Sequence, residues 1–121
     1  MSKRSSKPLK ESSLPFVSAH KGKIQCWWDV PPTDDYGAAC KTGKAFADAY
    51  VEYLVSGDEF AVGSGGTRAL IADMAQVAQR TDASGGYAVG FFSRLEHYLA
   101  AGYYDLVLGS SRPAPKHMKA A

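Results

Sequence analysis

The sequence predicts a mainly α fold, a three-helix bundle with disordered basic termini and room for a short two-stranded β appendage. Three observations predict it. Apolar residues recur at three- and four-residue steps in three separate stretches of the chain. Glycine-rich runs, Gly63-Ser64-Gly65-Gly66 and Thr81 to Gly86, punctuate those stretches. Charge is segregated: residues 1–23 carry six bases and one acid, residues 24–109 carry five bases and eleven acids, and residues 110–121 carry three bases and no acid.

Along the chain, the expected layout is a disordered basic tail at 1–22, a globular helical domain at 23–109 and a second disordered basic tail at 110–121. Five serines with Pro8 and Pro15 leave residues 1–15 little to bury. In Lys23 to Val30, Ile24, Cys26, Trp28 and Val30 alternate with Lys23, Gln25, Trp27 and Asp29, the period of a half-buried strand that Pro31 and Pro32 would stop. Thr33, Asp34 and Asp35 supply an N-cap oxygen and acids for a first helix from Tyr36. Its apolar face is read as Tyr36, Cys40, Gly43, Phe46, Ala47, Tyr50 and Leu54, its polar face as Lys41, Lys44, Asp48 and Glu52, with Lys44 and Asp48 as an i,i+4 pair and Gly57 as the stop. Thr67 is the expected N-cap of a second helix, with Leu70, Ile71, Met74 and Val77 inward and Arg68, Asp73, Gln76 and Arg80 outward. A third helix is expected from about Ala88 to Ala101, with Phe91, Phe92, Leu95, Tyr98 and Leu99 inward and Gly102 ending it. Tyr103 to Leu108 reads as a short strand beside Ile24–Trp28.

The chain's 121 residues, 45% hydrophobic and 21% charged, suit one small globular domain. No stretch approaches the ~18 apolar residues of a membrane span. The N-terminus leads into no long apolar segment, so no secretory signal is expected. Two cysteines make no disulfide scaffold, and no Cys/His cluster has zinc-finger spacing. The location expected is cytoplasmic, with no metal and no cofactor.

Candidate sites are few. Gly63 and Gly65 fit two positions of a dinucleotide-binding fingerprint, but Arg68 stands at the third. The stretch Val77 to Phe91 has the rhythm of a helix-turn-helix, yet Asp82 stands where glycine is usual, and Gly85 and Gly86 offer a base no side chain. Cys26 and Cys40, with His20 and His97 as bases, lack any local feature that would activate a thiol. Asp29, Asp34 and Asp35 are acids that helix-start chemistry largely explains. Trp27 and Trp28 stand out beside Tyr36 and four further tyrosines. In an alternating segment one tryptophan faces the core and the other lies at the surface or beneath a loop, and exposed Trp and Tyr are enriched at binding hot spots.

Trp27-Trp28-Asp29-Val30-Pro31, Tyr36-Gly37, Cys40-x-Thr42-Gly43 and Ala47 to Leu54, followed by Ile71-Ala72-Asp73-Met74 and Gly90-Phe91-Phe92-Ser93, resemble small uncharacterised proteobacterial proteins found near plasmid, phage or integrative-element genes. The resemblance implies a bacterial, cytoplasmic accessory role and carries no activity or site residue. The leading expectation is a non-enzymatic module acting through Trp27, Trp28 and Tyr36 on a protein partner or a second copy of itself. The alternative is a nucleic-acid-associated regulator using Lys3, Arg4, Lys7 and Lys10 with Arg68 and Arg80, whose binding would weaken with salt. A small enzyme stands third.

Overall fold

A computed structural model describes residues 10–18, 25–56 and 62–109, and the fold within them is mainly helical. Helix α1 spans Tyr36–Val55, α2 Gly66–Val77 and α3 Gly85–Tyr103. Asp35 caps α1: its side chain accepts the Ala38 N–H at 3.0 Å, while the Thr33 hydroxyl oxygen accepts the Asp35 N–H at 3.1 Å. The helix-start reading of Thr33 to Asp35 therefore resolves to a cap on Asp35.

α1 and α3 are the intimate pair, and small residues make them so. A Cβ on Gly43 would lie 2.0 Å from the Tyr87 carbonyl oxygen, and one on Gly90 would lie 1.9 Å from that of Cys40. Gly86 meets Ala39 and the Tyr36 carbonyl in the same way. Ala39, Gly43 and Ala47 on α1, with Gly86 and Gly90 on α3, are spaced four apart, so each helix presents a smooth strip to the other. The contacts advance together, Tyr36 and Ala39 with Gly86, Cys40 with Gly90, then Asp48 with Arg94 and Tyr98. The two helices thus run parallel, and the chain from 56 to 84, including α2, is the crossover between them.

An aromatic cluster fills the space beside this crossing. Phe16, wholly buried, has its ring centroid 5.2 Å from those of Trp28 and Phe46 and 6.0 Å from that of Phe91. Leu14 is buried with it, after a 3₁₀ turn at Glu11–Ser13, and the Phe16 carbonyl accepts the Asp29 N–H at 2.7 Å. Residues 10–18 therefore belong to the folded body, which corrects the tail drawn at 1–22. Two bulky apolar residues within a serine-rich run suffice to seat it. Residues 1–9 and 110–121 lie outside the described residues, as does Gly57.

α2 is held mainly by the segment 27–30. The Asp73 carboxylate accepts the Trp27 N–H at 2.7 Å, and the Trp27 ring covers Gly66, where a Cβ would sit 2.9 Å from it. Arg80 donates to the Val30 carbonyl at 2.9 Å and to the Ser84 hydroxyl at 3.3 Å. The cap at α2 is Gly65, at φ +94°, rather than Thr67, whose hydroxyl instead hydrogen-bonds that of Tyr50.

Other expectations change with the packing. Among the described residues there is no strand, only one antiparallel bridge between Ser18 and Cys26. The expected alternation holds only at its end, with Trp28 and Val30 buried about an exposed Asp29; Gln25, Cys26 and Trp27 are all half-buried. Tyr104–Leu108 is not a strand but a π-helical continuation of α3. That helix starts at Gly85 rather than Ala88, because Gly86 must reach α1, and Gly102 lies inside it. Tyr36, Ile71, Phe92 and Leu99, expected inward, are exposed. Asp73, expected outward, is half-buried on Trp27. Asp48 pairs with Arg94 at 2.8 Å rather than serving Lys44.

Candidate interaction surface

The structure separates the three aromatic residues singled out from the sequence. Trp28 is 1% exposed, enclosed by Phe16, Phe46 and Phe91, so it is a core residue and offers no surface. Its indole N–H has no acceptor among the described residues. Trp27 is half-buried, its ring 6.4 Å from Tyr53 and against Gly66, between α1 and α2. Tyr36 is 54% exposed on the first turn of α1, and hydrogen bonding with the Cys40 side chain four residues on holds its hydroxyl above the usual tyrosine range. The geometry thus leaves Tyr36 alone of the three as a broadly accessible ring.

The basic residues also divide. Lys10 and Arg68 are exposed. The Arg80 guanidinium braces the Val30 carbonyl and Ser84, which ties part of its donor fork to the fold. Lys3, Arg4 and Lys7 lie outside the described residues, as does His20. A cavity of about 180 Å³ lies between the 26–29 segment and α2, bordered by Cys26, Asp29, Asp73, Gln76 and Arg80. Asp73 and Arg80 are engaged in holding α2 to that segment. Among the described residues no group of three or more His, Cys, Asp or Glu could hold a metal ion, and no helix is long and apolar enough to cross a membrane.

On the flank of the α1–α3 crossing, Asp48 accepts from Arg94 at 2.8 Å and from the Tyr98 hydroxyl at 2.6 Å, with the guanidinium over the Tyr98 ring. Burial pushes the Asp48 carboxyl up, but the hydrogen bonds from Tyr98 and Arg94 outweigh it and hold the group below the ordinary Asp range. This cluster clamps the two helices.

A line of exposed apolar residues lies on the other side of α3. Val89, Phe92, Leu99 (66% exposed), Tyr103 (58%) and Leu106 (89%) follow one another along the helix and its π-helical end. Gly86, Tyr87, Gly90 and Phe91 face inward, which puts this line about 160° around the helix from α1. From Leu99 to Gly109 all residues but Ala100 and Tyr104 are exposed. Reading Phe92 and Leu99 as core residues hid the stripe. The signal that finds it is the pairing of Gly86 and Gly90 with Ala39, Gly43 and Ala47, which marks the buried face of α3 as its small-residue side.

No protein family, curated protein or solved structure matches the chain.

Proposed function

We propose that this protein is a non-enzymatic accessory protein that works by protein–protein contact, and that its contact surface is the outer face of α3. The observation that carries this reading is the line of exposed apolar side chains on α3 from Val89 to Leu106, interrupted by Glu96 alone, which water faces in the isolated chain. Large apolar side chains grouped on one surface mark interaction sites, whereas scattered ones do not. Trp28 leaves the proposed interface because it is buried in the core; Trp27, half-buried, and Tyr36, on α1, stand apart from it.

The test is chemical cross-linking of the tagged full chain in a cell extract, beside the double variant Leu99→Glu/Tyr103→Glu. Both positions are exposed, so the fold should survive, as circular dichroism would show. Complexes formed by the native chain and lost in the variant support the reading. Complexes unchanged in a folded variant overturn it.

A further inference from the structure

We infer that the surface on α3 is occupied by a second copy of this chain, docked with its α3 antiparallel to the first; this rests on the interaction reading above and names its partner. The spacing is the first support. Val89, Phe92, Glu96, Leu99 and Tyr103 are separated by three, four, three and four residues, the alternation of a helix–helix seam, and Leu106 follows in the π-helical end. The positions are symmetric about a point between His97 and Tyr98. With a two-fold axis there, Val89 faces Leu106 of the second copy, Phe92 faces Tyr103 and Glu96 faces Leu99. Every stripe residue meets a stripe residue, as an isologous contact requires. The projecting end of α3, from Leu99 onward, would lie along the half of the other α3 that is packed on its own body.

Charge chooses the direction. Glu96 is the one charged residue on the stripe. A parallel pair would set Glu96 against its own copy, two like charges directly opposed. The antiparallel pair sets each against Leu99 and leaves its carboxylate free to reach the rim.

Area sets the strength. From their fractional exposures, the five apolar residues offer roughly 500–600 Å² per copy, so a pair buries about 1,100 Å², at the lower edge of specific interfaces, which span ~1,200–2,000 Å². A reversible dimer is expected, not a permanent one.

Three full-length variants test this by light scattering and cross-linking. The native chain should move from monomer towards twice the chain mass as concentration rises to about 100 μM, a range suited to a micromolar dissociation constant. Glu96→Leu should shift that midpoint at least tenfold lower. Ser93→Cys mixed with Ala100→Cys, each with Cys26 and Cys40 replaced by Ser, should cross-link to one another in preference to themselves. Self-linking of each would overturn the antiparallel arrangement. Monomers throughout for both the native chain and Glu96→Leu would overturn the second copy as partner. In that case, loss of a heterologous complex in the folded Leu99→Glu/Tyr103→Glu variant would leave the interaction reading standing, and its persistence would bring down both.

Discussion

Glycines 43 and 90 decide how near α1 and α3 can come, and neither can be replaced by any other residue without moving backbone, since the atoms in the way are carbonyl oxygens. Gly43→Ala and Gly90→Ala should each cost about 3 kcal/mol or more, at or above the upper end of ordinary overpacking. Gly102 supplies the internal control. It lies in the same helix with nothing near its absent Cβ, so Gly102→Ala should stabilise by up to ~1 kcal/mol. Urea midpoints of the three variants check both signs. Asp48 offers a pH-dependent test. Its folded carboxyl sits below its ordinary value, so its stabilising effect is present above the unfolded pKa and is lost as pH falls through the folded one. The side chain is half exposed, and screening limits the effect to no more than about 1 kcal/mol. Asp48→Asn should therefore be less stable than the native chain at neutral pH, and the gap should close as the carboxylate is protonated in acid, below the ordinary Asp range. A gap that persists unchanged in acid would show that the carboxylate's charge is irrelevant to the clamp.

At the scale of elements, the sequence shows where helices are far better than which way they face. α1 was legible because its cap, Asp35, and its outward Lys41, Lys44, Asp48 and Glu52 stand in local register. α3 was legible only in part: Phe91 is buried as its period implies, but Phe92 and Leu99 lie outside, and Gly86 and Gly90, which share the buried face, are residues that hydrophobic periodicity scores as nothing. Two other elements escaped for a related reason. Asp73 looks like a solvated acid but accepts the Trp27 backbone N–H across 46 residues of sequence, and local spacing cannot reveal such a contact. Phe16 sits in a run whose composition is that of a tail, yet it is wholly buried among four aromatic rings. Phe16→Ala should cost about 3–5 kcal/mol, as removal of a buried aromatic does. A thermal or urea midpoint within error of the native value would return residues 10–18 to the tail.

Taken as a whole, the molecule has a tight parallel helix pair, a crossover helix tethered by Trp27 and Arg80, and one helical face left bare. The candidate surface was only half legible: an aromatic-rich interaction protein was expected, but of the aromatics most visible in sequence Trp28 is wholly in the core and Trp27 is half-buried beside Tyr53. What they leave is the outer side of α3. Loss of that surface should leave stability almost untouched, since Leu99 and Tyr103 are already in water, while association should vanish. Sedimentation equilibrium of the native chain, Leu99→Glu and Tyr36→Ala, side by side and folded, tests this most directly. The α3 account predicts a reversible dimer for the native chain and Tyr36→Ala, and a monomer for Leu99→Glu. A native chain that stays monomeric, or a dimer that survives Leu99→Glu and disperses with Tyr36→Ala, would contradict it.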